Sequence, residues 1–453
     1  MKILIVGCGK LGMLIAEKLI EEDHKITIID RNEDVLNDCM ETLDALTVKG
    51  SGVSFETLQE ADVKNTDIVI ATTMSDETNM LCCLMAKKLG AKYSVARIRD
   101  PEYLSGLSFL TKELNINYVV NPDRATAREI SRMLRLPFAS SIETFARGLV
   151  EMVEIRTKGH EPFVDIPLKE LYKRYPSLPR VLFCIVEREK RAIIPKGDFI
   201  IHEGDSVFIT ADTATVTNFF KAIGKNTRGV HDAMIIGGSR TAYYLARSLT
   251  DSGVKTTIIE SRAEQARFLS EILEDVTIIH GDGTDHELLM SEGLDTADAF
   301  IALTGRDEEN MLTGLYASHN TNAKVIVKNT RLNYPDLLRQ IGLESIVSPR
   351  QIACNIVLRT VRARMNTDGT MVERMYSLIN GKAEALEFIA RADASYIGIP
   401  LKNLNIKNDA LVAVIVRNGH VRVPFGDDVI RADDHVIIIT KETGISDLED
   451  VIG

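Results

Sequence analysis

The chain has 453 residues, enough for roughly three or four domains of about 100–150 residues each. It is 45% hydrophobic and 26% charged, as expected of a globular protein, and a formal net charge of −11 without a basic face or tail excludes a general nucleic-acid partner. Cys8, Cys39, Cys82, Cys83, Cys184 and Cys354 form no CxxC pair or metal-ligand spacing, which suits a reduced cytoplasmic compartment, and no apolar run approaches the ~20 residues needed to span a bilayer.

Met1-Lys2 leads straight into an apolar strand, Lys2–Val6, so no signal peptide is expected. Lys10–Glu21 has helical periodicity, and Lys25–Ile29 is a second strand ending at Asp30. A helix over Asn32–Leu43, a strand Ala45–Val48 and a helix Phe55–Glu60 follow. Asp67–Thr72 is a fourth strand, Glu77–Leu89 a helix and Tyr93–Ile98 a fifth strand. Alternating strands and helices predict a parallel sheet covered on both faces.

The same order then returns. Gly7-Cys8-Gly9-Lys10-Leu11-Gly12 reappears as Gly237-Gly238-Ser239-Arg240-Thr241-Ala242, and Asp30 as Glu260, at a common offset of about 230 residues. Asp76-Glu77-Thr78-Asn79-Met80 returns as Asp307-Glu308-Glu309-Asn310-Met311. Behind each copy lies a smaller β-branched segment, Glu151–Ala211 and Glu384–Thr440, with shared turns such as Ile166-Pro167-Leu168 and Ile399-Pro400-Leu401. Helices over Arg124–Leu134 and Ile352–Arg364 connect large to small segments, and a polar linker falls around Gly224–Gly229. The expected fold class is therefore α/β: two Rossmann-like parallel-sheet domains, at 1–135 and 230–365, each followed by a small α+β domain, at 140–222 and 370–453.

The first glycine loop carries the chemistry. Gly7 permits the tight turn out of the strand, Gly9 leaves the backbone open to a pyrophosphate, and Gly12 lets the helix pack closely. The amides of the following helix N-terminus, at Lys10 and Leu11, offer a partial positive charge to phosphates, and Cys8 fits a place that asks for a small side chain. Asp30 ends the next strand, where a carboxylate accepts ribose hydroxyls and repels a 2′-phosphate, so NAD(H) is favoured over NADP(H). The adjacent Arg31 weakens that preference. Thr72, Thr73 and Met74 follow the fourth strand at the ligand crevice, and Arg97 reaches either a phosphate or an ion pair. In the second loop Gly237 keeps the turn, but Ser239 replaces the glycine that admits pyrophosphate. Glu260 and Asp282 still suit ribose recognition, and occupation of this copy stays open.

The glycine loop, Asp30, Ser75–Met80, Ala96-Arg97-Ile98-Arg99 and the turn Asn121-Pro122-Asp123 together resemble the domains that regulate potassium conductance, the RCK/KTN family. The resemblance covers essentially the whole chain. It implies a cytoplasmic regulatory subunit, peripheral on the inner face of the membrane through a potassium channel or transporter subunit of the TrkH/KtrB-like class. It also implies NAD(H), or ATP and ADP, as ligands, and small domains with a regulatory role. Two linked copies per chain predict a homotetramer closing a ring of eight units.

The competing class is an NAD-dependent oxidoreductase. Such an enzyme needs a proton donor or base beside the nicotinamide. The nine histidines are scattered; His280 and His286 flank Gly281-Asp282-Gly283 without metal-site spacing. No catalytic residue and no metal ligand is assigned. A scaffold that binds nucleotide only for stability is the third class.

Overall fold

A computed structural model describes residues 1–104, 106–331, 338, 341–365, 372–442, 445 and 447–452. The expected limits of the fourth domain, residues 370 and 453, lie outside the described residues. Four sheets follow one another along the chain. The first comprises β1 (Lys2–Val6), β2 (Lys25–Asp30), β3 (Ala45–Lys49), β4 (Ile68–Ala71), β5 (Tyr93–Arg97) and β6 (Tyr118–Val120). The second comprises β7 (Ser141–Phe145), β8 (Val150–Arg156), β9 (Leu182–Arg188), β10 (Arg191–Ile193) and β11 (Ser206–Asp212). The third comprises β12 (Asp232–Ile236), β13 (Lys255–Glu260), β14 (Val276–His280), β15 (Ala299–Ala302), β16 (Lys324–Lys328) and β17 (Ser345–Val347). The fourth comprises β18 (Val372–Leu378), β19 (Ala383–Ile389), β20 (Ala410–Arg417), β21 (His420–Arg422) and β22 (His435–Thr440).

The first and third sheets are parallel, with the order β3-β2-β1-β4-β5-β6 and its repeat β14-β13-β12-β15-β16-β17. This is the doubly wound order whose chain reversal, between β1 and β4, opens a crevice at the strand C-termini. The second and fourth sheets are antiparallel and share the order β10-β9-β11-β8-β7, repeated as β21-β20-β22-β19-β18. The α/β class with tandem small domains is therefore the observed architecture. Each parallel sheet gains a sixth strand that the sequence pattern did not suggest; β6 and β17 are three residues long, too short to express a period.

The chain folds into two compact units, each assembled from separated segments: Met1–Ser131 with His231–Val361, and Arg132–Val230 with Arg362–Gly453. In the first unit both parallel sheets are present. Alternate residues of one strand go to opposite faces: Ile3 and Ile5 join one core, Leu4 and Val6 the other. Both faces are buried, so the strands read as unbroken apolar runs. The helix Asp76–Leu89 covers the Leu4 face with Met80, Cys82, Cys83 and Ala86. The Ile3 face is covered by the helix Lys10–Glu21 and by Ala353, Cys354, Val357, Leu358 and Val361, which belong to the second copy.

These last residues lie on the helix Pro349–Met365, whose counterpart is Pro122–Arg135. Both begin earlier than the periodicity suggests, each at a proline, whose fixed φ and missing N–H suit the first helical position. The exchange is reciprocal: Ser131 Oγ lies 3.1 Å from Ser248 Oγ, and Tyr244 Oη donates to Arg99 O at 2.8 Å. The second connecting helix thus completes the core of the first copy, and the first lies along the second glycine helix.

In the second unit the two antiparallel sheets share one core. Phe145, Met152, Ile185 and Phe208 pack with Ala385, Val414, Ile437 and Ile439. Their opposite faces are covered by local helices and turns, around Phe163, Phe219 and Phe220 in one copy and Phe388, Tyr396 and Ile430 in the other. Burial on both faces explains why Val412–Val416 is continuously apolar rather than alternating.

Candidate nucleotide-binding site

The first glycine loop leaves β1 through Gly7, whose φ of +90° an L side chain rarely adopts. A Cβ there would stand 2.8 Å from Thr73 N. Gly12 is constrained by distance: a Cβ would come within 2.1 Å of Gly7 O, so its absence lets the first helical turn fold against the loop itself. At Gly9 a Cβ would meet nothing within 4 Å. Gly9 therefore borders open space, as required of the residue that faces a pyrophosphate. It is also the N-cap of Lys10–Glu21 and supplies no side-chain acceptor, so the first-turn amides keep their donors. Lys10 is exposed and Leu11 half-buried at this end.

Asp30 does more than wait for a ribose. Its Oδ2 accepts the Cys8 N–H at 2.7 Å and its Oδ1 accepts the Asn32 N–H at 2.9 Å, so it fixes the glycine loop to the end of β2. Cys8 is buried, with its Sγ 2.9 Å from Cys39 Sγ. Burial pushes the Cys8 thiol far up, and the contact with Cys39 adds to this. Arg31 points along the exposed rim, donating to Ser51 Oγ at 2.7 Å.

Thr72, Thr73 and Met74 lie just past β4, beside the loop. Thr72 Oγ1 donates to Gly7 O at 2.8 Å and so braces the turn. Thr73 donates its N–H and its Oγ1 to Asn79 Oδ1, at 2.9 and 2.7 Å. Met74 is highly exposed and contributes its carbonyl to Arg99 Nη2 at 3.0 Å. Arg97 Nη1 donates to Thr73 O at 3.1 Å, while its Nε is shielded and meets no acceptor. Burial draws the Arg97 pKa down; the nearby Arg99 and Arg240 act in the same sense, and Asp123 and Asp76 oppose them. The structure thus brings Gly7 to Gly12, Asp30, Thr72, Thr73 and Arg97 around one crevice mouth and leaves Arg31 at its edge.

The sequence reading gave Asn79 no role, although its motif repeats. Its amide ties Thr73 to Arg97 O at 2.8 Å, and Asn310 ties Thr304 to Lys328 O at 3.0 Å in the same manner. The recurrence of asparagine inside both acidic helix starts was the available signal.

The second loop is built differently. Gly237 keeps the turn at φ +89°. Ser239 caps the helix Arg240–Thr250, its Oγ accepting the Ala242 N–H at 3.4 Å. One of the amides that a phosphate would use is thereby taken. Glu260 is only 5% exposed; its Oε2 accepts the Gly238 N–H at 2.6 Å and its Oε1 the Arg262 N–H at 2.9 Å. Burial alone would raise this carboxyl, but the Arg262 and Gly238 N–H groups and the Arg262 guanidinium outweigh it and hold it below the usual range. Asp282 is turned into its own loop, Oδ1 accepting from Thr284 N and Oγ1 at 2.9 and 2.8 Å, and those bonds hold its pKa down.

Residues 3–122 and 233–349 match the TrkA-N domain family, and residues 152–224 and 385–453 match the TrkA-C domain family. The chain is 31% identical over 456 residues to the Trk system potassium uptake protein TrkA of Vibrio alginolyticus, covering 99% of this chain and 98% of that one. It is 30% identical over 454 residues to a Trk system potassium uptake protein TrkA homolog of Archaeoglobus fulgidus, with both chains fully covered. Among solved structures, the GsuK channel bound to NAD has the same fold, with a TM-score of 0.63 at 18% identity over 97% of this chain and 76% of that one. GsuK bound to ADP gives a TM-score of 0.52 at 17% identity over 80% and 69%. With both domain types present twice and curated relatives aligned end to end, the chain belongs to the TrkA family of Trk system potassium uptake proteins.

Proposed function

We propose that this chain is the nucleotide-sensing regulatory subunit of a Trk-type potassium uptake system. In this reading it binds NAD(H), or ATP and ADP, at the first glycine loop and passes a conformational change to a TrkH/KtrB-like membrane subunit. The observation that carries it is the first loop: an uncapped helix N-terminus facing open space at Gly9, with a carboxylate, Asp30, fixed beside it. The NAD-bound and ADP-bound GsuK structures, which share the fold, support these ligand classes. The names of the full-length relatives support a part in potassium uptake rather than an oxidoreductase. Among the described residues no helix is long and apolar enough to cross a membrane; in this reading the subunit works peripherally, through its partner, on the cytoplasmic face. The domain limits follow the same reading: 1–135 and 230–365 for nucleotide binding, 140–222 and 370–453 for regulation, in a homotetrameric ring.

A switch requires a ligand with unequal affinity for two conformations. Moving a population from 1:99 to 99:1 takes about 5.5 kcal/mol of difference. A nucleotide lying across the loop of one copy and groups of the other has enough contacts to supply part of that from each side. The test is potassium flux through the reconstituted complex, with and without NADH, ADP or ATP, for wild type and Asp30→Ala. Ligand-dependent flux in wild type and ligand-independent flux in the variant are expected. Flux indifferent to every nucleotide, with the complex still assembled, would reject the reading.

A further inference from the structure

The exchanged connecting helices bring opposite charges to the two glycine loops. Asp123 is the second residue of Pro122–Arg135, and Arg350 is the second residue of Pro349–Met365. Asp123 Oδ1 accepts from Thr241 Oγ1 at 2.8 Å, in the first turn of the second glycine helix. Next to it Asp100 Oδ2 accepts from Arg240 Nη2 at 3.3 Å. Two carboxylates of the first copy therefore stand at the second helix N-terminus, where the helix dipole already favours negative charge. The Asp123 charge acts on Lys328 and also on Arg97, its counterpart in the first copy.

At the equivalent positions of the second copy the chain has arginines; Arg331 is held within its own copy, Nη1 donating to Glu308 Oε1 at 3.2 Å. Asp100 corresponds to Arg331, because the Asp100 N–H donates to Asp76 and the Arg331 N–H donates to Asp307 in the same way. Asp123 corresponds to Arg350. Cys354 Sγ lies 3.9 Å from Leu14 O, and the paired helices run parallel, as Asp123–Thr241 and Ser131–Ser248 show for the other pair. Arg350 lies one turn before Cys354, so the parallel pairing carries it toward the N-terminal turn of the first glycine helix. Its Nε is shielded from solvent and has no protein acceptor. A guanidinium presents a fork that matches phosphate oxygens.

We propose that Arg350, supplied by the second copy, is a phosphate ligand of the first copy's nucleotide site, and that Asp123 at the equivalent place excludes phosphate from the second. The inference rests on the nucleotide-binding reading above and adds its asymmetry: one chain, two loops, one phosphate site. It also makes the connecting helix a direct carrier of ligand occupancy, because the helix that touches the phosphate is the helix that leads into the second small domain.

The test is calorimetric titration of ADP into the full chain without divalent cations, with adenosine as the phosphate-free probe. Wild type is expected to bind one ADP per chain. Arg350→Gln is expected to weaken ADP by about tenfold or more, the range of a lost charge-assisted hydrogen bond, and to leave adenosine unchanged. Arg350→Lys recovers part of the ADP affinity, and Asp123→Asn admits a second ADP. Unchanged ADP affinity in Arg350→Gln, or an equal loss for ADP and adenosine, overturns the ligand role. Two equivalent ADP sites in wild type, or a single site in Asp123→Asn, overturns the exclusion. Wild type that binds neither ADP nor adenosine removes the nucleotide reading itself.

Discussion

Asp30 and Cys8 are joined by a 2.7 Å hydrogen bond in which the loop N–H donates to the carboxylate that the sequence places at the ribose. In the proposed function the side chain that reads the ligand is thus also the one that shapes the site. Asp30→Ala leaves the Cys8 and Asn32 N–H groups without this acceptor. A cost of about 1–3 kcal/mol to the ligand-free protein is expected, read as a lower denaturant midpoint. Asp30→Asn keeps one acceptor and is expected to cost less, while both variants lose nucleotide affinity. A ligand-free midpoint unchanged in Asp30→Ala would show that the bond does not hold the loop.

The two helix caps give a second prediction. Gly9 has room for a side chain, and Ser239 shows what serine does at that place. Gly9→Ser should cap the helix Lys10–Glu21 and stabilise the ligand-free chain by a few tenths of a kcal/mol. The same cap takes the amide a phosphate uses, so nucleotide affinity should fall as melting temperature rises slightly. A joint fall in stability and affinity would point to steric disruption instead.

The fold was legible where a residue's requirement is local. Unbroken apolar runs such as Ile3–Val6 announce a strand buried on both faces, and Gly7 announces a positive φ. The partner of an amphipathic helix is not local information. The residues Ala353, Val357 and Val361 say that a helix has an apolar stripe; nothing in their spacing says that the stripe closes the sheet of the other copy. Asp30 was legible as an acid at a strand end, but its bond to Cys8 depends on how the loop curls back. Ser239 was legible as a departure from glycine, yet its hydroxyl serves the helix rather than a phosphate, because the cap is available in the free chain.

The exchange of helices has a consequence for truncation. A chain ending at residue 230 lacks Ala353, Cys354, Val357, Leu358 and Val361, so the Ile3 face of the first sheet loses its cover. Each buried Val or Leu contributes about 1.5–3 kcal/mol. The fragment also retains Pro122–Arg135 with its own partner missing. Two copies of the fragment satisfy both needs at once, so a dimer is expected by light scattering. A well-folded monomer at micromolar concentration would contradict the reciprocal packing.

All six cysteines are buried and unpaired. Burial pushes the thiols of Cys82 and Cys354 up to about 12 and raises Cys8, Cys39, Cys83 and Cys184 as well. The thiolate is the reactive form. The native chain at pH 8 is therefore expected to react slowly with a thiol reagent and to release all six only in denaturant. Rapid labelling of Cys8 in the native chain would mean that the first glycine loop opens readily without ligand.

A buried ion pair in the second unit contributes to the acid limb of stability. Lys225 Nζ donates to Glu161 Oε1 at 2.6 Å, and Lys158 N–H donates to Oε2 at 2.9 Å. Burial would raise the Glu161 pKa, but the Lys225 contact and the Lys158 N–H outweigh it, and the carboxyl is held below its ordinary value. A depressed folded pKa means that the unfolded chain binds the proton more readily. The stabilisation is therefore complete above the unfolded value, about 4.3, and is lost as pH falls through the lower folded value. Glu161→Gln removes this dependence but strands Lys225 in a site where its side chain is only 13% exposed, so a loss of about 3–5 kcal/mol at pH 7 is expected. Between pH 7 and pH 3 the gap in denaturant midpoint between wild type and variant should stay constant down to about pH 4.3 and narrow below it, as the wild-type charge begins to be neutralised. A constant gap across that range would assign the loss to packing, and the Lys225 contact would then have no electrostatic part in stability.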